Sequence, residues 1–438
     1  MAELSKDNLL RSWKEIAAYL GCDVRTCHRW EINRGLPVHR AEGGETKSPV
    51  FAYKDELDRW FQGTFKNTNH TTAKKGAALN WLKWAARGAI LLALAGLYFH
   101  FWGGLARRQP TDFKIVGSTF YALDKDKREL WPKDMGVEDL QSTEFYRANF
   151  QVMHTDQSNI LPALVMKDIN ADGDTEVLFA LKRVNDRTGE GILICYDRSG
   201  KELWRFRAGR ELACRDKVFS PDYRIAGFHC HDLDGDGRQE IVVESFQAPD
   251  WPCQLAVLDA SGKMIGEFWN AGYLRDLKYH DLDGDGREEL IVCGVNNEYR
   301  GGCLIVFDTR DIRGASPQSG EYVCEGLAPG SMLYYATLPY TDVSEAMGNR
   351  VEGLRLLDIT ENNWVEATYG NGLIFDFDFG LKCVQVYWGH GYEYWHGVLA
   401  KSGKISSVLG PDYARMLRED VRWWNGSAWT ATPSKCAR

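Results

Sequence analysis

Three short acidic stretches repeat in one register, and their residue types suit the binding of a hard cation. They read DINADGDTE from Asp168, DLDGDGRQE from Asp232 and DLDGDGREE from Asp281. Each has Asp or Asn at positions 1, 3 and 5, Gly at position 6 and Glu at position 9. Alternate side chains converge where the backbone coils tightly, and a glycine permits that turn. Calcium takes about 6–8 oxygen ligands, which such a loop largely supplies.

The expected ligand sets follow from these positions, and the residue at position 7 contributes its backbone carbonyl. The candidate ligands are Asp168, Asn170, Asp172, Asp174 and Glu176 in loop 1, Asp232, Asp234, Asp236, Arg238 and Glu240 in loop 2, and Asp281, Asp283, Asp285, Arg287 and Glu289 in loop 3. About three Ca²⁺ ions are therefore expected for the chain.

Two other interpretations of the loops are weaker. An EF-hand needs a glutamate at position 12 and flanking helices. Position 12 here holds Phe179, Val243 and Val292, inside runs rich in β-forming residues. Turns rich in Asp and Gly can also be stabilised by side-chain hydrogen bonds without a metal. Three copies in one register favour calcium over such metal-free turns.

A second recurring piece follows each loop, about 20 residues later. The pieces read LICYDRSGKELW, LAVLDASGKMIGEF and, more loosely, LIVFDTRDIRG, and outlying relatives lie near Tyr121 and Gly397. The loops are spaced by 64 residues from Asp168 to Asp232 and by 49 from Asp232 to Asp281. A period of roughly 40–50 residues built from short strands is typical of propeller blades.

On these loops the sequence resembles the FG-GAP/VCBS repeat family, whose calcium-loop β-propellers also occur in integrin α-chain heads. The resemblance is specific over about residues 160–310. It implies an all-β propeller over residues 107–438, with about seven blades at this period. The stretch FDFDFGLKCVQVYW, near Phe375, resembles a degenerate blade that has lost its ligand set.

The first 66 residues show a different pattern, which is helical. Ser12 and Glu15 form a capping-box pair before an apolar helical face, and Asp23 is a candidate N-cap for a second helix. A Gly-containing turn joins the two helices, and the second is polar and basic on its outer face. This arrangement is typical of a helix-turn-helix.

The segment resembles the winged helix-turn-helix of the MerR/excisionase class, with a wing hairpin at residues 36–53 and a closing helix. That family uses the second helix and the wing on DNA, and the carry-over gives the DNA-binding candidates Arg25, Thr26, His28, Arg29, His39, Arg40 and Lys47. The alternative is a small helical interaction domain, because residues 1–70 carry 11 basic against 10 acidic residues.

An apolar stretch separates the two ends of the chain. Residues 88–106 contain no Asp, Glu, Lys or Arg, which just meets the length of a transmembrane helix. A basic linker at residues 67–87 precedes it and predicts a cytoplasmic N-terminus. The net charge is +5 over residues 1–87 and −13 over residues 107–438. We therefore expect a single-pass protein of the bacterial inner membrane, with the propeller outside the cytoplasm.

The cysteine and histidine residues complete the inventory of reactive side chains. Of 11 cysteines, Cys22 and Cys27 are expected to be reduced packing residues, and Cys293 and Cys303 are the pair most expected to form a disulfide. The stretch HGYEYWH from His390 lacks the spacing of a zinc motif and is expected to pack in a strand-like aromatic run.

The expected fold is thus multi-domain: a small α-rich winged helix-turn-helix, one transmembrane helix and a propeller. The leading functional hypothesis is a membrane-anchored one-component transcription regulator. It would bind promoter DNA in the cytoplasm and an extracytoplasmic ligand or protein on the other side of the membrane. A homodimer is a further expected partner state. The alternatives are an envelope adhesion or ligand-binding protein that docks a cytoplasmic protein, and a calcium-dependent enzyme acting on polysaccharides. No catalytic signature is present, so we expect no enzyme activity.

Overall fold

The fold was analysed in a computed structural model, which describes residues 8–40, 49–65, 108–148, 150–152, 162–185, 191–247 and 251–436. The chain divides into two compact units, Met1–Gly104 and Leu105–Arg438. The predicted transmembrane span at residues 88–106 and the wing residue Lys47 lie outside the described residues. Within them, no helix has both the length and the apolar character needed to cross a membrane.

The first unit is a mixed α/β structure around a small core. Its elements are β1 (Leu9–Leu10), α1 (Trp13–Leu20), α2 (Val24–Arg34), β2 (His39–Arg40), β3 (Val50–Tyr53) and α3 (Lys54–Phe65). The three strands form one sheet in the order β1-β3-β2. The helix starts are those predicted, because Ser12 accepts a hydrogen bond from the Glu15 N–H and Asp23 accepts one from the Thr26 N–H. Ile16 and Cys27 pack at the centre of the core.

The second unit consists mainly of antiparallel strands. The strands are β4 (Asp112–Val116), β5 (Thr119–Leu123), β6 (Glu129–Asp134), β7 (Phe150–Val152), β8 (Leu164–Lys167), β9 (Glu176–Ala180), β10 (Ile192–Tyr196), β11 (Glu202–Arg207), β12 (Leu212–Cys214), β13 (Lys217–Phe219), β14 (Tyr223–His231), β15 (Glu240–Gln247), β16 (Cys253–Leu258), β17 (Met264–Asn270), β18 (Leu274–His280), β19 (Glu289–Asn296), β20 (Gly301–Asp308), β21 (Arg313–Ala315), β22 (Tyr334–Thr337), β23 (Leu354–Ile359), β24 (Trp364–Tyr369), β25 (Leu373–Asp378), β26 (Cys383–Trp388), β27 (Arg422–Trp424) and β28 (Trp429–Thr430).

These strands form five larger sheets, each built around a run of consecutive antiparallel strands. The sheet orders are β4-β5-β6, β11-β10-β9-β8-β7, β14-β15-β16-β17-β21, β18-β19-β20-β22-β27-β28 and β23-β24-β25-β26, and β12-β13 is a separate hairpin. Inner strands such as β15 and β19 are largely buried on both faces and rich in apolar residues, although each also buries polar side chains. The outer strand β11 alternates between exposed and half-buried residues, as expected for a strand with one solvated face.

The tripeptide SGK occurs at Ser199, Ser261 and Ser402. A repeated turn that joins neighbouring sheets explains the first two copies. In the β10–β11 turn, Asp197 accepts hydrogen bonds from the backbone N–H groups of Ser199 and Lys201, and Gly200 has φ 84°. The indole of Trp131, on β6 of the preceding sheet, packs on Gly200, where an added Cβ would lie 2.6 Å from the ring. The Trp131 N–H also donates to the backbone carbonyl of Arg198 at 2.8 Å.

The next sheet repeats this contact in every detail. Asp259 accepts from the backbone N–H groups of Ser261 and Lys263, and the indole of Trp204 packs on Gly262. The Trp204 N–H donates to the carbonyl of Ala260 at 3.0 Å. Each tryptophan therefore seats in the turn of the following sheet, and we call this arrangement the tryptophan–turn contact.

Four α-helices accompany the strands in the described part of the second unit. They are α4 (Thr143–Ala148), α5 (Asp342–Ala346), α6 (His390–Lys401) and α7 (Pro411–Glu419). The stretch that begins at His390 is thus helical, so the predicted strand-like run there is wrong. Ser402 follows the end of α6, so the third SGK tripeptide is not a strand turn.

Three further expectations about the fold are corrected. The first unit contains a three-stranded sheet and is not simply α-rich. The described part of the second unit has five larger sheets and not about seven, because sheets recruit distant strands such as β27 and β28. The disulfide joins Cys214 to Cys324, whereas Cys293 and Cys303 are free and buried.

Candidate metal centres

The three acidic loops occupy equivalent places in three successive sheets. Loop 1 joins β8 to β9, loop 2 joins β14 to β15, and loop 3 joins β18 to β19. The glycine at position 6 has φ 86°, 88° and 86° in the three loops, which is the left-handed region that glycine adopts without strain. Position 12 falls inside β9, β15 and β19, so the arrangement differs from an EF-hand.

The aspartate at position 1 organises each loop in the same way. One carboxylate oxygen accepts from the backbone N–H of position 4, at 2.8 Å for Asp168, 2.8 Å for Asp232 and 2.7 Å for Asp281. The other oxygen accepts from the N–H of the glycine at position 6, at 2.8, 2.9 and 2.9 Å. In each of the three loops, the backbone thus coils around the aspartate at position 1.

The glutamate at position 9 closes each loop from inside the sheet. Glu176, Glu240 and Glu289 are only 1%, 7% and 8% exposed. One oxygen of each accepts from the backbone N–H of position 2, at 3.0, 2.8 and 2.9 Å. The second oxygen of Glu240 and of Glu289 has no hydrogen-bond donor among the described residues.

Side-chain oxygens converge most closely in loops 2 and 3. Ligand atoms of Asp232, Asp234 and Glu240 lie within 4.8 Å of one another, and so do those of Asp281, Asp283 and Asp285. Asp236 accepts from the backbone N–H of Arg238, and Asp285 from that of Arg287, so the position-7 residues belong to the same coil.

Loop 1 differs from the other two in its side chains. Asn170 replaces an aspartate at position 3, and its amide donates to Glu176 at 3.3 Å. Asp172 accepts from the backbone N–H of Asp174 at 2.8 Å. The Asp174 carboxylate pairs with Arg198 at 3.0 Å, which reduces the negative charge available to a cation.

The electrostatics of the loops fit a divalent cation. The pKa of Glu176 is raised to about 7, mainly by burial and to a smaller extent by the aspartates of the same loop. Burial likewise raises the pKa of Glu240 and of Glu289, again with a contribution from the neighbouring aspartates. A cation bound among these oxygens would offset both the desolvation and the mutual repulsion. The donor set consists of hard oxygens, which suits Ca²⁺ better than a transition metal.

Sequence reasoning missed the residues that hold the loops from neighbouring segments. The Gln109 side chain accepts from the Thr175 N–H at 2.9 Å, at position 8 of loop 1. Lys167 donates to the Gln239 side chain at 2.6 Å, and His231 contacts Glu288 at 2.6 Å. The sequence contained a signal for these contacts. Gln239 and Glu288 also occupy position 8 of their loops, and Lys167 and His231 each precede position 1 of a loop.

The predicted DNA-contacting residues are mostly engaged within the first unit. Arg25, His28 and Arg29 are exposed on α2, and the His28 ring packs at a tilt against Trp13 with ring centroids 4.0 Å apart. The Thr26 hydroxyl donates to the capping residue Asp23 at 2.9 Å.

The two described wing residues both face acids. His39 lies 2.6 Å from Glu56, and Arg40 lies 2.6 Å from Glu31 of α2. These acids offset the positive charge that a phosphate backbone would require.

A partly buried cluster of a serine, a histidine and an aspartate in the second unit has the residue types of a catalytic triad. Ser407 contacts both His396, at 2.9 Å, and Asp342 of α5. A carboxylate only accepts hydrogen bonds, so the single hydroxyl proton of Ser407 goes to Asp342 and His396 must donate to Ser407. A base that activates a serine has to accept its proton. The hydrogen bonds of this cluster therefore connect α5 to α6 and have a structural role.

Comparisons with known proteins were made for the whole chain. No family model matches the sequence, and no curated protein matches it. Among solved structures, similarities include a Bacteroides caccae protein of unknown function, with 11% identity over 64% of this chain and 73% of that one and a TM-score of 0.29. The Dos1 propeller gives 11% identity, 64% and 67% coverage and a TM-score of 0.30.

A third similarity is to the rhamnogalacturonan lyase YesW, with 17% identity, 49% coverage of this chain and a TM-score of 0.28. This chain spans only 40% of the length of that enzyme. At such TM-scores, none of these likenesses carries an argument about this protein's activity.

The family and function predictions are corrected accordingly. The comparisons support neither a MerR/excisionase winged helix-turn-helix nor an FG-GAP/VCBS repeat. The prediction of a transcription regulator is withdrawn, since the comparisons give no DNA-binding relative and both described wing cations face acids. The predicted single-pass membrane location is corrected as well: the described residues contain no helix long and apolar enough to span a membrane, and the predicted span itself lies outside them.

Proposed function

We propose that the second unit is a calcium-binding β-domain, in which three ions fasten two neighbouring strands in each of three successive sheets. The observation that carries this proposal is the set of backbone hydrogen bonds that loops 1, 2 and 3 share around a buried glutamate. Metal-free turns would gain nothing from a fourth carboxylate buried among three others, because burial and repulsion both oppose its ionised form.

We further propose that the ions are structural and that the chain acts by binding and not by catalysis. Each loop lies at a strand junction, where an ion fixes the geometry of a sheet. The serine–histidine contact at Ser407 lacks a free base, and we derive no reaction from it.

Calcium-dependent stability tests the proposal in the full chain. Because calcium would bind the folded state preferentially, an ion present at about 100 times its Kd adds about 2.7 kcal/mol per site. Thermal melting in calcium should therefore occur at a clearly higher temperature than in a chelator, and titration calorimetry should count about three ions. Magnesium should substitute poorly, since it demands tighter octahedral geometry.

Position-3 variants separate a metal role from a turn role. Asp283 accepts no backbone hydrogen bond within the loop, and Asp234 accepts only one, from the Asp236 N–H at 3.1 Å. Asp234→Asn and Asp283→Asn should each lose part of the calcium-dependent stabilisation and keep the melting temperature measured in chelator. Asp216→Asn, an exposed aspartate in the β12–β13 turn, is the matched control. A wild-type melting temperature that ignores calcium would refute the proposal.

A further inference from the structure

The loops contact one another through a repeated link between sheets. Lys167 immediately precedes loop 1 and donates to Gln239, at position 8 of loop 2. His231 immediately precedes loop 2 and contacts Glu288, at position 8 of loop 3. The same two positions are thus joined twice along the series. Each of these positions adjoins an expected metal ligand: one precedes the aspartate at position 1, and the other precedes the glutamate at position 9.

The link between loops 2 and 3 is the more extensive. The His231 ring stacks on Tyr279, with centroids 3.8 Å apart and planes inclined by 5°. Tyr279 lies on β18, which enters loop 3, and Glu288 lies where the chain leaves that loop. His231 therefore touches both arms of loop 3 while its backbone leads directly into Asp232 of loop 2.

A second contact joins the same two sheets on the other side of loop 2. The Thr309 hydroxyl, just after β20, donates to the backbone carbonyl of Leu233 at 2.7 Å and is buried. Leu233 occupies position 2 of loop 2, and its N–H donates to Glu240. The backbone that holds the buried glutamate of loop 2 is thus fixed by the sheet that carries loop 3.

We propose that calcium binding at loop 3 favours calcium binding at loop 2, through the contact between His231 and Glu288. The inference rests on the calcium-binding function proposed above and concerns the regulation of those sites. An ion in loop 3 fixes the backbone at Glu289 and therefore orders Glu288 beside it. Glu288 then holds His231, so that the ordering of Asp232 costs less when the second ion binds. Repulsion between two divalent ions opposes this effect, so the sign of the coupling is a measurable test.

The Glu240 carboxylate gives independent support for an ion in loop 2. It is more than nine-tenths buried, and ligand oxygens of Asp232 and Asp234 lie within 4.8 Å of it. Its second oxygen has no hydrogen-bond donor in the described part of the chain. A cation at this place would offset the repulsion between the Glu240 carboxylate and the two aspartates.

The experiment compares calcium affinity at loop 2 with and without a working loop 3. Asp172→Asn disables loop 1 in every sample, and Asp283→Asn disables loop 3 in half of them. We expect titration calorimetry of the full chain with calcium chloride to show loop 2 binding roughly fivefold or more tightly when loop 3 works. His231→Phe keeps a ring against Tyr279 and removes the contact with Glu288. In this variant, the ratio of loop 2 affinities with and without a working loop 3 should fall to about one.

Two further variants keep the result interpretable. Glu288→Gln retains a hydrogen-bonding side chain and should give an intermediate ratio. Lys435→Met removes a cation 3.9 Å from Asp283 and should shift the affinity of loop 3 without changing the ratio. Equal or weaker binding at loop 2 when loop 3 works would overturn the coupling alone. An absence of calcium binding in the wild-type chain would overturn the proposed function as well.

Discussion

Glu244 offers a sharp test of how the second unit tolerates a buried acid. It lies on β15, is 0% exposed, and neither of its carboxylate oxygens has a hydrogen-bond partner in the described structure. Its pKa is raised from 4.5 to about 8, mainly by burial and to a smaller extent by the carboxyl group of Asp276, while Arg275 opposes the increase. The folded protein therefore keeps this proton over a range in which the unfolded chain releases it.

The sign and size of the pH effect follow from that difference. The stabilising contribution is complete below about pH 4.5 and is lost as the pH rises toward 8. One proton released on unfolding corresponds to a slope of about 1.4 kcal/mol per pH unit. Between pH 5 and pH 7, the free energy of unfolding should therefore fall by about 3 kcal/mol on account of Glu244 alone.

Glu244→Gln removes this titration while nearly keeping the shape of the side chain. The measurement is urea unfolding of the full chain in excess calcium, followed by tryptophan fluorescence. The free energy of unfolding of the variant, relative to that of the wild type, should be about 3 kcal/mol higher at pH 7 than at pH 5. Glu211→Gln changes an exposed acid and should run parallel to the wild type throughout. If Glu244→Gln also runs parallel, Glu244 is not protonated in the folded state and the reasoning fails.

Two remaining predictions concern loop 1 and the tryptophan–turn contact. Asn170→Asp supplies the missing carboxylate at position 3 of loop 1, so calcium should bind that loop roughly tenfold more tightly in calorimetry; a weaker site would contradict our account of its ligands. Gly262→Ala and Gly403→Ala both place alanine at a positive φ, of 80° and 71°, but only the first meets a ring, at 2.5 Å. Urea unfolding should show Gly262→Ala costing about 1–3 kcal/mol more than Gly403→Ala, and equal losses would mean that the indole moves aside.

The parts of the structure that sequence predicted well are those that form from neighbouring residues. The coiled backbone of the acidic loops is made by hydrogen bonds that span at most seven positions, so its pattern is visible in a nine-residue stretch. The helix starts at Ser12 and Asp23 are similarly local. The identity of the bound ion stays a prediction.

The parts that sequence missed depend on contacts between distant residues. Cys214 and Cys324 are 110 residues apart, and nothing near either cysteine marks the other as its partner. The number of sheets was overestimated because spacing assumes that every segment builds its own blade. Helix α6 is a different case, since Tyr392, His396 and Leu399 are buried at helical spacing and the pattern was overlooked in an aromatic-rich stretch.

The tryptophan–turn contact has a consequence for how such a chain could grow. One copied segment from Asp197 to Trp204 carries a socket, the turn that receives an indole, and a plug, the indole that fills the next turn. Tandem duplication of that segment would therefore produce modules that dock in order without further adaptation. The series of tryptophan–turn contacts stops after the turn at Asp259. Trp204 lies seven places after Asp197, but the residue seven places after Asp259 is Gly266. There the backbone carbonyl of Ile312 lies 2.6 Å from where a Cβ would stand, and β21 runs alongside β17 in parallel. A tryptophan at position 266 would collide with this segment, so the chain of docked modules ends where β21 joins the sheet.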